Sequence, residues 1–585
     1  MTFLFRDTDP PGWLRWAFRL LALGIGAMHT VVAIRSQSMN EDGIGYLDLG
    51  QAWWLGDWDS AMNITWSPLY AWIIGGVVEL TQPSVWWEFP VVQVCNFGIY
   101  VLALLAFEYF WRQLTRVYFA PTAEQGVDAR FPPAVWMAIG YSLFIWASLN
   151  MIAVWAVTPD MCVAALLYLA AGLLLKASAT HARASTAVLF GFTLGLAYLA
   201  KSAMFPLGIA GLVLAALIPG SAGARLARFG RALVGFLIVA GPVVALTSMS
   251  VGHPSFGEVG RFTYMKHVNG LDWPQWQQAT GVRGAPVHPP RQIHDEPAAW
   301  EFATPIGGTY PLAYDPAWWT QGLEPTVALR PQLQAIVDNK VYYFELFVRH
   351  QGGFLAVLVL LGVLAWHRWR REPRLDAPLA LTAWSLAALG LYVLVYAESR
   401  YVAPFVLLLW AGLLAQVRLP AGEWQQRTVA AGGVLLALFV WINIAALNLE
   451  GLGGMLGYAT QRHGAVATST VTRDLSDGGD KLQHPAIAEA LRADFGLEQG
   501  TRVAFIGYSY SAYWARLARL RIIAEVRPEE IGQFWSASAA VRDEVLAAFA
   551  AAGAEAVVAE PAGADVAAQG WEPIQGTGYL VKRLR

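Results

Sequence analysis

Two adjacent carboxylates, Glu41 and Asp42, follow the first apolar run of the sequence and precede Tyr46. A turn at the end of a membrane helix needs only Asn, Ser or Gly, so a carboxylate pair there indicates a chemical role. A carboxylate near a membrane surface can accept a proton from a hydroxyl or amine, or orient that group for attack. We therefore predict that Glu41 and Asp42 belong to a site that handles a polar group carried on a lipid. Two solvated loop carboxylates are the alternative.

Two basic residues are candidates for binding an anionic group. Lys201 lies between two apolar segments, where an unneutralised charge is costly, so it is a functional candidate. Arg400 follows another apolar segment, and a guanidinium can hold a phosphate through two parallel hydrogen bonds. Glu398 is expected to pair with Arg400 or to orient it. The alternatives are a lysine that extends towards the membrane surface and a purely structural Glu–Arg pair.

Four further polar residues have more than one possible role. Asp160 begins an apolar helix, where the helix dipole favours a carboxylate, so capping explains it as well as a site role does. Asp48 lies nearly two helical turns after Asp42 and could share its face, but a charge on the helix surface is the favoured interpretation. His288 and His294 lack the spacing of zinc sites. No metal ligand or cofactor is therefore assigned, and a divalent metal is left open.

The composition predicts a membrane protein. Of 585 residues, 56% are hydrophobic and 14% are charged, whereas soluble proteins carry about 25% charged residues. Apolar runs of roughly 15–22 residues recur, the length that crosses a hydrocarbon core. With a formal net charge of −2, nothing indicates nucleic acid binding. Cys95 and Cys162 lie in apolar runs, so neither a disulfide nor a cysteine metal site is expected.

Basic residues near the ends of the apolar runs predict the orientation, because cytoplasmic loops are enriched in Lys and Arg. About eleven spans, with the N-terminus inside and the C-terminus outside, satisfy this rule if segment 68–80 does not cross. That segment is too short to span and is predicted to be a juxtamembrane or re-entrant helix. The predicted spans are 16–34, 90–111, 132–149, 161–177, 186–200, 203–219, 232–250, 352–366, 377–396, 402–416 and 428–448.

The regions outside the membrane are loop 35–89, loop 251–349 and the C-terminal tail. The tail alternates helical patterns with apolar runs such as 502–508, which predicts a small α/β domain with a largely parallel sheet. It lacks the glycine fingerprint of dinucleotide sites, so a docking or acceptor-guiding role is favoured. The predicted domains are 1–449, a membrane domain that includes both loops, and 450–585, a soluble extracytoplasmic domain.

The order of these features resembles the GT-C superfamily of membrane glycosyltransferases, and within it the bacterial protein O-mannosyltransferases and lipid A aminoarabinose transferases. The resemblance covers roughly residues 10–450. The order Glu-Asp departs from the family's commoner Asp-Glu, which leaves open which carboxylate does the chemistry. The matching patterns are Glu41-Asp42 followed by Tyr46, Ser67-Pro68-Leu69-Tyr70, Thr158-Pro159-Asp160, Leu199-Ala200-Lys201 and Glu398-Ser399-Arg400-Tyr401.

The resemblance implies a mostly α, polytopic GT-C-like fold with a C-terminal soluble α/β domain, in the bacterial cytoplasmic membrane. It implies transfer of a hexosyl or pentosyl group, with inversion, from a polyprenyl-phosphate sugar to a lipid, glycan or protein acceptor at the outer face. Membrane lipids are the other expected partners. A non-catalytic scaffold and a transporter are the alternatives. The implied site has Asp42 and Glu41 as catalytic carboxylates, Lys201 and Arg400 on the donor phosphate, and Glu398, Tyr401, Asp160 and Tyr46 in support.

Overall fold

The structure is a computed structural model. It describes residues 12–37, 39–120, 130–179, 182–272, 281–302, 307–349, 351–352, 355–357, 359–360, 376–417, 422–455, 483–560 and 570–584.

Helices make up most of the first 455 residues. They are α1 (Gly12–Ser36), α2 (Glu41–Leu55), α3 (Trp58–Ala61), α4 (Pro68–Thr81), α5 (Glu88–Tyr118), α6 (Pro133–Ile145, followed by a π-helical segment Trp146–Ile152), α7 (Asp160–Ala177), α8 (Ala184–Ala200), α9 (Met204–Leu217), α10 (Ala222–Val251), α11 (Val259–His267), α12 (Pro311–Tyr314), α13 (Pro316–Trp319), α14 (Leu329–Phe344, followed by Glu345–Arg349), α15 (Ala377–Val393), α16 (Ser399–Leu414) and α17 (Glu423–Met455).

The apolar helices define a multi-pass membrane protein. In the described ranges, α1, α5, α6, α7, α10 and α17 are long and apolar enough to cross a membrane, and α4, α8, α9, α15 and α16 are shorter apolar helices. Ten of the predicted spans coincide with these helices, and the remaining one, 352–366, lies largely outside the described residues. The 14 residues of α4 extend about 21 Å, less than a hydrocarbon core of about 30 Å. Helix α9, which coincides with the predicted span 203–219, has the same length, so the non-crossing of 68–80 stays a prediction.

The strands lie in loop 251–349 and in the C-terminal region. The elements are β1 (Val282–Gly284), β2 (Arg291–His294), β3 (Ala299–Glu301), β4 (Leu323–Pro325), α18 (Gln483–Ala493), β5 (Arg502–Ile506), α19 (Tyr513–Ala518), β6 (Arg521–Val526), α20 (Ile531–Ser536), α21 (Ala539–Ala552), β7 (Ala556–Ala559), β8 (Glu572–Pro573) and β9 (Leu580–Arg583). The predicted alternation of helices and strands in the tail is therefore present.

The main sheet has seven strands in the order β2-β3-β6-β5-β7-β9-β8. Strand β5 runs parallel to β6 and β7, and the other neighbouring pairs are antiparallel. The prediction of a largely parallel sheet is thus wrong outside the three central strands. Apolar runs do not specify strand direction, and the short connection between β8 and β9 permits only an antiparallel pair. Strands β2 and β3, at one end of the sheet, come from loop 251–349 rather than from the tail.

Helix α2, which begins with the carboxylate pair, packs closely on α4. The two helices approach at Gly50 and Gly75, and a Cβ atom on Gly50 would lie 2.8 Å from the Cα atom of Gly75. Only glycine allows this approach, because real Cβ atoms need more than about 3 Å. The contact therefore fixes where α2 lies against the short helix α4.

Candidate active site

Hydrogen bonds hold the start of α2 against the segment that precedes α7. The Asn40 side chain accepts a hydrogen bond from the Val157 amide at 2.8 Å and donates to its carbonyl at 3.3 Å. Glu41 and Asp42 follow in the first turn, where the helix dipole favours negative charge. Asp160, at the start of α7, is therefore brought near Asp42.

Arg400 and Asp42 form the central ion pair of the site. Both terminal nitrogens of the Arg400 guanidinium contact Oδ2 of Asp42 at 3.3 Å. Its Nε atom donates to Glu398 at 3.0 Å. Arg400 lies in the first turn of α16, where the helix dipole opposes a positive charge. The carboxylates around it compensate for that position.

Asp160 and Lys201 form a second ion pair beside the first. The Lys201 ammonium, in the break between α8 and α9, lies 2.6 Å from Oδ1 of Asp160. It also lies 3.4 Å from the centroid of the Tyr401 ring, a cation–π distance. The other oxygen of Asp160 is 3.8 Å from Nε of Arg400. The two ion pairs therefore form one cluster, which we call the Asp42–Arg400 cluster: Asp42, Asp160, Lys201, Glu398, Arg400 and Tyr401.

The cluster differs in accessibility from one side to the other. The side chain of Asp160 is 2% exposed, whereas that of Asp42 is 36% exposed. Arg400 and Lys201 are partly accessible, at 21% and 20%. A ligand can therefore approach from the side of Asp42, while the Asp160–Lys201 pair lies deeper.

Glu41 lies beside the cluster and faces other partners. The hydroxyl of Tyr508, in the loop after β5, donates to Glu41 at 2.7 Å. Burial lowers the pKa of the Lys266 ammonium in α11, and the charges of Glu41 and Asp42 partly oppose that lowering. Sequence reasoning missed Tyr508 and Lys266, since neither lies in a motif that marks it.

Tyr46 packs one helical turn after Asp42. Its buried ring contacts Trp66 and Tyr70, with ring centroids 5.1 and 5.3 Å away. It therefore contributes an aromatic wall beside the carboxylates.

Asp48 is not on the helix surface, and that interpretation is wrong. It is buried and pairs with Arg516 of α19 at 2.8 Å. It also accepts hydrogen bonds from the backbone and hydroxyl of Thr309. Arg516 in turn contacts Glu88 at 3.5 Å. The distant arginine could not be inferred from α2 alone, and it neutralises a carboxylate that would otherwise have to face water.

No group of three or more potential metal ligands occurs within the described ranges. The carboxylates of the Asp42–Arg400 cluster contact Arg400 and Lys201 instead. In the described residues, these carboxylates are therefore paired with protein cations.

Comparisons with known proteins bear on the fold. No family model matches the sequence, and no curated protein matches it. ArnT from Cupriavidus metallidurans bound to undecaprenyl phosphate is 13% identical with a TM-score of 0.50, over 96% of this chain and 97% of that one. The apo state of ArnT is 15% identical with a TM-score of 0.46, over 92% of both chains. An oligosaccharyltransferase from Archaeoglobus fulgidus, in complex with Zn and sulfate, is 10% identical with a TM-score of 0.43, over 92% of this chain and 68% of that one.

The likeness to ArnT bound to undecaprenyl phosphate covers nearly the whole of both chains. It shows that this chain shares the fold of ArnT, and it confirms the predicted fold: a mostly helical membrane region and a C-terminal part that contains a sheet.

Proposed function

We propose that this chain transfers a sugar from a polyprenyl-phosphate donor to an acceptor at the outer face of the bacterial cytoplasmic membrane. The observation that carries the proposal is the convergence of Asp42, Asp160, Lys201 and Arg400 from distant helices into one cluster. The structure of ArnT, which shares the fold, is bound to undecaprenyl phosphate. That ligand supports a lipid-phosphate donor for this chain.

In the proposed reaction, an oxygen or nitrogen of the acceptor attacks C1 of the sugar. A bond from C1 to the acceptor forms while the bond from C1 to the phosphate oxygen breaks, and its electron pair leaves with the phosphate. Direct displacement inverts the configuration at C1. Asp42 takes the proton of the acceptor, and Arg400 and Lys201 stabilise the departing polyprenyl phosphate.

The ion pairs suggest how the donor would be received. Arg400 already contacts Asp42 and Glu398, so a donor phosphate has to compete for its guanidinium. The partly exposed pair with Asp42 is easier to open than the deeper Asp160–Lys201 pair, because solvent compensates the separated charges. In our proposal the phosphate draws Arg400 away from Asp42 and leaves that carboxylate free to accept a proton.

This mechanism predicts opposite effects of two substitutions on two measurements. Asp42→Asn abolishes sugar transfer but leaves the binding of undecaprenyl phosphate unchanged or tighter, because Arg400 loses a competing carboxylate. Arg400→Ala weakens that binding by about tenfold or more, as expected for the loss of a charge-assisted contact. Binding is measured on the full chain in nanodiscs, and transfer with a panel of polyprenyl-phosphate sugars.

Asp59→Asn is the matched control, because Asp59 is an exposed carboxylate in the same outer loop. It should change neither measurement. A wild-type rate of sugar transfer in the Asp42→Asn variant would show that Asp42 does not take part in the reaction. Unchanged binding of undecaprenyl phosphate by a folded Arg400→Ala variant would show that Arg400 does not belong to the donor site.

We also propose that the N-terminus is cytoplasmic and that loops 35–89 and 251–349 and domain 450–585 are outside. A cysteine introduced at Gln82, in the connection between α4 and α5, should then react in intact spheroplasts with a maleimide that cannot cross the membrane. Protection of this cysteine until the membrane is opened would mean that α4 crosses the membrane, and it would invert the proposed orientation of every segment that follows.

A further inference from the structure

A polar chamber of about 390 Å³ lies between the C-terminal region and the first outer loop. The connection between α4 and α5 forms one side, with Gln82 and Ser84, and the C-terminal residues Arg492, Gln499 and Arg519 form the other. A smaller chamber of about 150 Å³ adjoins it, and Gln499 and Arg519 line both. No member of the Asp42–Arg400 cluster lines either chamber, so this is a separate site.

The two carboxylates that line the larger chamber already have hydrogen-bond or ion-pair partners. Glu88 accepts a hydrogen bond from Tyr513 at 3.3 Å and contacts Arg516 at 3.5 Å. Glu79 accepts from the Gln82 side chain at 2.8 Å. In contrast, the guanidinium groups of Arg492 and Arg519 make no hydrogen bond to any residue in the described ranges. The chamber therefore holds two cations with unused donors.

Arg519 has an unusual backbone for its residue type. It ends α19 in the left-handed conformation, with φ +60° and ψ +34°, a position at which helices usually have Gly or Asn. An arginine there has a conformational cost that those residues avoid. Arg519 lines the chamber in spite of that cost, which supports a role for this residue.

The chamber lies beside the start of a membrane helix. The membrane helix α5 begins at Glu88, one of the lining residues. Next to the chamber, Trp87 is 64% exposed and Leu80 is 86% exposed. Exposed tryptophan at the end of a membrane helix is typical of the lipid headgroup region. A lipid headgroup can therefore reach Arg492 and Arg519 without leaving the bilayer.

We propose that this chamber binds the phosphomonoester headgroup of a membrane lipid, with Arg492 and Arg519 on the phosphate. Guanidinium groups suit phosphate because their parallel N–H donors match its oxygens. The lining has no aromatic residue, so it lacks the aromatic cage that recognises quaternary ammonium headgroups. The inference does not rest on the proposed sugar transfer, because no step of that reaction uses the chamber.

The test measures binding of dihexanoyl phosphatidic acid to the full chain in detergent by calorimetry. Dihexanoyl phosphatidylcholine and inorganic phosphate are the comparison ligands. Arg519→Asn and Arg492→Gln should each weaken binding of the phosphatidic acid by about tenfold, since each removes a charge-assisted phosphate contact. Asn suits the left-handed conformation, so Arg519→Asn should keep or raise the unfolding temperature. Arg502→Gln, at an exposed arginine of β5, is the matched control and should bind like the wild type.

Three results would overturn the inference. The first is a lack of binding that depends on the chamber: both chamber variants bind phosphatidic acid as tightly as the wild type does, or the wild type does not bind it. The second is equally tight binding of the phosphatidylcholine, which would show an apolar site. The third is inorganic phosphate that binds as tightly as the lipid with the same dependence on Arg519, which would show a site for soluble anions.

Discussion

Tyr508 of the C-terminal region donates its hydroxyl to Glu41 at 2.7 Å, one residue before the carboxylate that contacts Arg400. The two adjacent carboxylates thus have different neighbours. Asp42 belongs to the cluster of charges, and Glu41 joins α2 to the loop after β5. This geometry supports Asp42 rather than Glu41 as the proton acceptor of the proposed reaction, a choice that the sequence left open.

Glu41→Gln should reduce sugar transfer by less than about tenfold, because a glutamine oxygen still accepts the neutral hydrogen bond of Tyr508, worth about 1 kcal/mol. Initial rates with a polyprenyl-phosphate sugar test this, with Asp42→Asn assayed in parallel. Tyr508→Phe removes the same contact from the other side and should have an effect of similar size. If Glu41→Gln eliminates transfer and Asp42→Asn does not, the two assignments must be exchanged.

Arg516→Met should lower the free energy of unfolding by about 3–5 kcal/mol, because it leaves Asp48 and Glu88 as buried charges without their partner. The Arg516 side chain is only 2% exposed, and both carboxylates are nearly as buried. Thermal unfolding in detergent measures the change. The triple variant Asp48→Asn/Glu88→Gln/Arg516→Met removes all three charges and should recover most of the loss.

Arg427→Met is the control for this buried triad. Arg427 and Glu423 form an exposed pair one turn apart on α17, with side chains 82% and 89% exposed. Such pairs contribute at most about 1 kcal/mol, so the unfolding temperature should hardly change. A triple variant as unstable as Arg516→Met would mean that packing, not uncompensated charge, explains the loss.

Stability should depend on pH through Asp315, which lies between α12 and α13 and accepts hydrogen bonds from the Ile64 amide and the Thr65 hydroxyl. Burial raises the pKa of this carboxyl to about 6, from 3.8. Between these values the folded state keeps a proton that the unfolded state has released. The free energy of unfolding therefore falls as pH rises from about 4 to 6, by about 3 kcal/mol, and is constant above that window.

Asp315→Asn should lose this part of the pH dependence. Unfolding temperatures at pH 4.5, 5.5, 6.5 and 7.5 test the prediction, and Asp59→Asn should keep the wild-type profile. An Asp315→Asn profile parallel to that of the wild type would show that another group titrates in this window.

Gly50→Ala should destabilise the contact between α2 and α4 by about 1–3 kcal/mol, the usual cost of overpacking. The added Cβ would overlap the Ala71 carbonyl oxygen and lie close to Gly75. Gly98→Ala is the control, because a Cβ on this glycine of α5 meets nothing within 4 Å and alanine favours helix. Equal unfolding temperatures for the two variants would argue against the close helix contact.

The sequence predicted the helices well because hydropathy is a local property. The runs that became α5, α7 and α10 are apolar over enough residues to need no long-range information. The family patterns also named the cluster residues, since Asp42, Asp160, Lys201 and Arg400 each lie where an apolar helix begins or ends.

Long-range pairing could not be predicted in the same way. Asp48 was expected on the helix surface because its partner, Arg516, lies 468 residues away in the chain. Likewise, β2 and β3 are short and only partly apolar, so nothing in 291–301 marked them as strands of the C-terminal sheet. Such contacts depend on how helices and loops are arranged in space, which a single sequence does not encode locally.

The pairing of β3 with β6, which sets Ala299 opposite Val526, has a consequence for biogenesis. Strand β3 is synthesised more than two hundred residues before its partner, and several membrane helices must be inserted in between. During that interval its edge has no partner from β6, and exposed strand edges are prone to wrong pairing. The sheet can therefore be completed only after the last membrane helix has been synthesised. A chain truncated before β6 would insert its helices and still leave β2 and β3 without the rest of their sheet.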